Sequence, residues 1–218
     1  MGQKVNPHVI RLGTVFNWSS RWFDERQYKE IVLEDYGLRT MLMQRLKTAG
    51  IAQVEIERSI KSLRVIMHVS RPGIVIGRGG SGLEELKKAI VAYFAKARGN
   101  KSMPKLDIRV EPVKEPNLNA QLVAINVADQ LIRRLPFKRV LNSTAERVMN
   151  SGALGVKILL TGRIAGAEIG RREKIQVGTV PLSTIREEIS YAQVPALTKK
   201  GYIGVKVWIN RPEGSETV

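Results

Sequence analysis

Arg71-Pro72-Gly73-Ile74-Val75-Ile76-Gly77-Arg78-Gly79-Gly80-Ser81-Gly82 joins an apolar strand pattern, Leu63 to Val69, to a helical pattern that starts at Leu83. A glycine cluster at such a junction lets another molecule approach the main chain closely, because no Cβ stands in the way. The amides that open the following helix carry its positive dipole end, which suits a phosphate. Arg71 precedes the cluster and Arg78 puts a permanent positive charge at its tip. The stretch is built like a phosphate-holding device.

Two motifs fit the same letters. Gly77-x-Gly79-x-x-Gly82 matches the dinucleotide fingerprint, whereas Gly77-Arg78-Gly79-Gly80 matches the GXXG loop with which KH domains clamp single-stranded RNA. The dinucleotide reading needs a strand running straight into the glycines and an acid about 20 residues on. Here Pro72-Gly73 interrupts the strand, leaving Ile74-Val75-Ile76 to lead in, and the later position reads Asn100-Lys101-Ser102-Met103-Pro104. The Gly-Lys-Ser/Thr of a P-loop is absent, and a plain glycine turn remains the bland alternative.

Charge narrows the choice. The 218 residues hold 36 Lys+Arg against 20 Asp+Glu, a net charge of +16. An excess that large points first to nucleic acid and second to an anionic membrane surface. No apolar run approaches the roughly 20 residues of a membrane span, and Met1-Gly2-Gln3-Lys4 is no signal peptide. The absence of cysteine excludes disulfides, thiol catalysis and cysteine-ligated zinc, and fits a reducing, cytoplasmic interior. Both halves are basic: 20 basic against 11 acidic residues up to Val113, and 16 against 9 beyond. A two-domain, polyanion-binding chain is expected, with both domains touching the polyanion.

Along the chain, Met1 to Phe16 lacks periodicity and carries Lys4 and Arg11, as does an arm that folds on binding RNA. Trp18, Trp22 and Phe23 are read as its anchors to the domain, with stacking on bases as the alternative. A helical pattern runs from Asp24 to Leu46, with Gly37 expected to break it into two helices and Gly50 to end it. Val54 to Glu57 and Leu63 to Val69 read as strands, Leu83 to Phe94 as a helix closed by Gly99, and Leu106 to Val110 as a third strand. Helix, strand, strand, glycine loop, helix, strand is the order of a type II KH domain. No repeated βαβ unit supports the dinucleotide fold.

Lys114 to Asn117 reads as a linker, with Asn117 as the cap of a helix running from Leu118 to Leu135. Pro136 ends that helix, and a second carries Val140 to Met149. Arg133, Arg134, Lys138, Arg139 and Arg147 form a dense basic set on this pair, a solvated face when taken alone and an RNA contact beside a KH domain. Strands are expected at 156–161, 163–168, 174–178 and 202–209, with a short turn or helix at 181–188. The fold class is therefore α+β: an N-terminal type II KH domain plus a C-terminal domain of two helices and an antiparallel sheet. The expected divisions are an arm and helix at 1–37, the KH domain at 38–112, a linker at 113–117, the C-terminal domain at 118–211 and a frayed tail at 212–218.

Nothing organises bond-making chemistry. His8 and His68 are the two histidines, and neither has cysteine partners. Ser81 lacks a GxSxG elbow. Glu84-Glu85 and Glu187-Glu188 are adjacent pairs whose side chains diverge on a helix. No catalytic residue, metal site or cofactor is expected.

The opening Met-Gly-Gln-Lys-Val-Asn-Pro with Arg11-Leu12-Gly13, the stretch Arg71 to Gly77, Gly162-Arg163 with Gly166-Ala167-Glu168-Ile169, Val180-Pro181-Leu182 and Gly204 to Ile209 together resemble bacterial small-subunit ribosomal protein S-three. The matches run in order over nearly the whole chain. The resemblance implies a structural component of the small-subunit head that binds 16S-type rRNA. It also implies ribosomal proteins S-ten and S-fourteen as neighbours, with S-four and S-five nearby around the channel by which mRNA enters. It places RNA contact on Gly77, Arg78, Gly79 and Gly80, and assigns Lys138 and Arg139 to a basic helix associated with mRNA unwinding. This copy carries one basic residue in the loop where many relatives carry two. Asn142 occupies the helix's next basic position, and Ile175 stands where an aromatic residue is usual; the family's frequent basic C-terminal extension is not seen. A free-standing KH-type regulator that binds RNA off the ribosome is the alternative reading.

Overall fold

Two folding units account for residues 4–59, 61–98 and 105–212, which the computed structural model describes. One unit is formed by residues 18–114. The other combines the N-terminal arm, up to Asn17, with the chain from Glu115 onward. The expected segment at 1–37 is thus divided: its arm belongs to the C-terminal unit and its helix to the KH unit. The expected helix stop at Gly99 and residues 213–218 of the expected tail lie outside the described residues.

In the KH unit the elements are β1 (Ser20–Arg21), α1 (Tyr28–Arg45), β2 (Ile51–Arg58), β3 (Ser62–Val69), α2 (Pro72–Ile76), α3 (Ser81–Arg98) and β4 (Lys105–Pro112). The sheet order is β1-β2-β3-β4, with β2 and β3 antiparallel and β4 parallel to β3, so that Leu63 pairs Leu106 and Met67 pairs Val110. Period-2 alternation turns Val54, Ile56, Val65 and Met67 inward against Leu38, Leu42, Ile90 and Phe94 of α1 and α3, all essentially inaccessible. Removing each such side chain from water contributes about 1.5–3 kcal/mol.

Gly37 does not break α1. The Tyr93 hydroxyl of α3 lies where a Cβ at Gly37 would stand, and it donates to the Glu34 carbonyl at 3.2 Å. The glycine marks a close helix crossing rather than a stop.

The C-terminal unit holds α4 (Ala120–Ile132), α5 (Phe137–Asn150), β5 (Gly155–Gly162), β6 (Arg171–Gly178), β7 (Ile189–Thr198) and β8 (Gly201–Asn210). Its sheet is antiparallel throughout, in the order β6-β5-β8-β7. Val156, Ile158, Leu160, Val205, Val207 and Ile209 face Val123, Val127, Val140 and Ala145 of the two helices in one core. The helix cap is Asn119, not Asn117: its side chain accepts from the amides of Gln121 at 3.0 Å and Leu122 at 3.3 Å. The expected strand at 163–168 is instead a turn. Ala165 adopts φ 57° there and drives Ile164 into the core, and β6 begins only at Arg171.

From Lys4 to Asn17 the arm is part of this unit. Arg11, expected to meet RNA, is wholly buried. Its guanidinium donates to the carbonyls of Glu187 (2.8 Å), Thr184 (2.7 Å), Leu182 (3.2 Å), Pro181 (3.3 Å) and Pro7 (3.1 Å). Buried, with all three of its nitrogens donating to main-chain carbonyls, it is out of a phosphate's reach and is removed from the RNA-contacting set. His8 stacks on Phe16 with ring centroids 4.3 Å apart, and its Nε2 accepts the Tyr191 amide at 3.2 Å.

Candidate nucleic-acid interface

The glycine stretch folds as helix, glycine loop, helix. Pro72 opens α2, where a missing amide hydrogen costs nothing and φ is already helical. Ile74-Val75-Ile76, expected to lead in as a strand remnant, is therefore the body of a helix. Gly77, at φ 70°, closes α2 by donating to the Gly73 carbonyl at 3.0 Å.

The glycines divide into two roles. A Cβ at Gly82 would sit 2.5 Å from the Val75 carbonyl oxygen, and one at Gly77 would sit 2.8 Å from the Gly82 nitrogen, so this pair lets α2 and α3 touch. Gly79 and Gly80 take φ 61° and 83° with no atom within 4 Å of where their Cβ would be. They hold a bare main chain open to a partner.

Around that opening, Arg71 and Arg78 are exposed, and Ile74 and Ile76 expose 49% and 39% of their surface. Neither arginine has an acidic partner among the described residues. The first turn of α3 carries Glu84, which already complements the helix dipole. The loop backbone and Arg78 are the groups here that stand open to a phosphate.

The other face of the KH sheet has a different character. Arg64 bridges Glu57 (3.0 Å) and Asp107 (3.2 Å), Arg21 pairs Glu55, and His68 lies 3.6 Å from both Glu55 and Glu111. His68 and Arg21 hold the Glu55 carboxyl below its ordinary range, against burial that would raise it. Acids and bases neutralise one another here, so this face offers little to a polyanion. His68 is structural.

In the C-terminal unit the α4–α5 turn gathers Arg133, Arg134, Lys138 and Arg139, all exposed and without an acidic partner among the described residues. Arg134 takes φ 62°, and its amide and that of Leu135 satisfy the Leu131 and Gln130 carbonyls at 3.0 and 3.2 Å. Arg133 and Arg134 lie at the negative end of α4, where cations are favoured. Lys138 and Arg139 lie in the first turn of α5, which has no acid, and there the dipole opposes them. Arg147, more than two turns further along α5, bonds to Ser143 and Thr144 of its own helix and stands apart. Asn142 is exposed on the same helix face as Lys138 and Arg139.

The fold brings Arg71, Gly77, Arg78, Gly79 and Gly80 together in one unit, and Arg133, Arg134, Lys138 and Arg139 together in the other. Lys4 is exposed on the arm. Burial pulls the Lys157 ammonium down from its ordinary value, and the charges of Lys4 and Lys174 pull it the same way. Sequence reasoning missed Lys199 and Lys200, which the β7–β8 turn sets beside Arg134. Two lysines running into a glycine, Lys199-Lys200-Gly201, just ahead of the expected strand at 202–209, are the signal the sequence offers.

Among the described residues no group of side chains could hold a metal ion, and no helix is long and apolar enough to cross a membrane. An α-β-β-α-α-β unit with an open GXXG loop is a type II KH domain, and with the basic helix-and-sheet unit it defines a two-domain RNA-binding protein. A profile of the KH domain family matches residues 37–118, and one described as ribosomal protein S3, C-terminal domain, matches residues 127–209. Small ribosomal subunit protein uS3 of Lachnoclostridium phytofermentans is 42% identical over 226 aligned positions, covering 99% of this chain and all of that protein. The protein of the same name from Caldicellulosiruptor bescii is 45% identical over 210 positions, covering 96% of this chain and 91% of its own. The chain belongs to the small ribosomal subunit protein uS3 family, whose members are structural rather than enzymatic.

Proposed function

We propose that this chain sits in the head of the small subunit as an architectural protein, binding 16S-type rRNA and lining the channel by which mRNA enters. Ribosomal proteins S-ten and S-fourteen are its neighbours in this reading, S-four and S-five lie nearby, and the compartment is the cytoplasm. One observation carries it beyond family membership. Lys138 and Arg139 stand unpaired where the α5 dipole disfavours them, a placement that costs about 0.3–1 kcal/mol per cation and that a polyanion would reverse.

Affinity here comes from lysines and arginines that neutralise phosphates and release counterions, with little reading of base sequence. Arg78, Lys138 and Arg139 hold separated strands while translocation supplies the work. Sedimentation of a lysate in moderate and then high salt tests the placement. About one copy per small subunit, persisting through the wash, is expected, and recovery at the top of the gradient would refute it. Lys138→Ala with Arg139→Ala is expected to slow translation through stable mRNA hairpins and leave unstructured messages unaffected. Equal elongation on both would remove the unwinding role.

A further inference from the structure

The C-terminal unit holds a cleft of about 530 Å³, within the range of small-ligand pockets. Leu131, Leu135, Phe137 and Ile203 supply apolar walls; Arg134, Lys199 and Lys200 supply charge, and no acid lines it. Arg171, outside this lining, lies with its guanidinium 5.4 Å from the centre of the Phe137 ring and pairs with Glu173 at 3.3 Å.

A second observation is independent of composition. Among the described residues, Arg134 (φ 62°) and Ala165 (φ 57°) are the two non-glycine residues with positive φ, and both line this cleft. Such conformations cost about 1–3 kcal/mol each and gather at ligand clamps. The lysines are placed with equal care. They form the two-residue turn between Thr198 and Gly201, closed by the Thr198 hydroxyl donating to the Gly201 carbonyl at 2.7 Å. The Lys200 stem packs beside Gly166, whose Cβ, if present, would lie 3.2 Å from its Cγ.

An apolar slot with an aromatic wall and an acid-free cationic rim matches one chemistry, a planar base joined to a phosphate. We propose that the cleft binds one unstacked nucleotide, its base among Leu135, Phe137 and Ile203 and its phosphate on Arg134, Lys199 and Lys200. This deepens the RNA-binding reading and rests on it. The nucleotide belongs to an RNA strand, because the neighbouring Arg133, Lys138 and Arg139 continue the positive surface beyond what one phosphate requires.

Photocrosslinking of the full chain to a single-stranded 12-mer RNA carrying 4-thiouridine, read by mass spectrometry, tests it. Crosslinks are expected in the peptides around residues 131–137 and 198–203, as well as at the glycine loop. Lys199→Glu with Lys200→Glu changes exposed turn residues only. It should lower the cleft crosslinks about tenfold, spare those at the loop, and flatten the dependence of log affinity on log salt by about 0.7, the slope for one lost contact to a single-stranded phosphate. Loop crosslinks without cleft crosslinks would overturn the cleft and leave the RNA-binding reading standing. Absence of both would overturn the two together. Competition by free uridine monophosphate at the concentration that half-saturates the RNA would reassign the cleft to a free nucleotide. Retention of cleft crosslinks by the double variant would overturn the phosphate assignment.

Discussion

Arg58 Nε donates to Asp35 Oδ1 across 2.8 Å, tying β2 to α1 with both side chains nearly buried. The Arg58 fork also reaches Glu34 at 2.8 Å, while Asp35 accepts from Ser20 Oγ and Trp22 Nε1, each at 2.9 Å. One carboxylate thereby fixes β1, the Trp22 indole and the end of β2. Removing one member of a buried pair strands the other, so Asp35→Ala is expected to destabilise the KH unit by about 3–5 kcal/mol. Urea unfolding followed by tryptophan fluorescence measures this; a loss under 1 kcal/mol would show that the pair is dispensable.

The loop glycines separate by experiment. Gly82→Ala forces a methyl group against the Val75 carbonyl and is expected to lose about 1–3 kcal/mol of stability. Gly79→Ala meets open space and loses about 1–2 kcal/mol for its left-handed backbone, but its methyl group projects into the partner's path. Single-stranded RNA affinity per folded molecule should fall for Gly79→Ala and hold for a folded Gly82→Ala. The opposite ranking would contradict the division of roles.

Acid should loosen the arm. Burial, and the charges of Arg211 and Arg11, push the His8 imidazole below its ordinary 6.5. As pH falls through that value the undocked arm takes up a proton that the docked arm refuses, so docking is complete above it and weakens progressively below. Exchange of the Tyr191 amide, corrected for its intrinsic rate, is expected to accelerate between about pH 7.5 and about 5.5, and His8→Gln should flatten that response. An unchanged profile in His8→Gln would place the sensitivity elsewhere.

Stability and binding should move in opposite directions at α5. Lys138→Glu with Arg139→Glu removes two disfavoured cations and places acids where the dipole favours them, and about 1–4 kcal/mol of added stability is expected from the pair. RNA affinity should drop with a shallower salt slope. Thermal melting and a salt series of binding isotherms measure both; a destabilised variant would mean that the cations serve the fold.

The glycine loop, the element order of the KH unit and the two helices beyond it are legible because local letters specify them: glycines where the chain must turn or be approached, apolar periods of two and of about three and a half. What escapes is set by neighbours distant in sequence. Pro195 disguises β7, since proline argues against a strand unless that strand lies at a sheet edge, as this one does. Gly37 imitates a helix stop until Tyr93 is found against it. Lys138 and Arg139 are visible as charge, but their standing against a helix dipole depends on where α5 begins. Arg11 looks like any basic residue of a leader, and only the loop at 181–187 reveals its use.

That last contact also bears on the timing of synthesis. The Arg11 guanidinium closes on carbonyls 170 to 176 residues further along the chain. At roughly 5–20 residues per second, on the order of ten seconds separates the appearance of the arginine from that of its socket. Throughout that interval the arm is a free cationic thread, and for its later part the KH unit, made once residue 114 has been added, is already complete. Docking of the arm is among the last events of folding, and it reports that the chain has been made at least as far as Glu187.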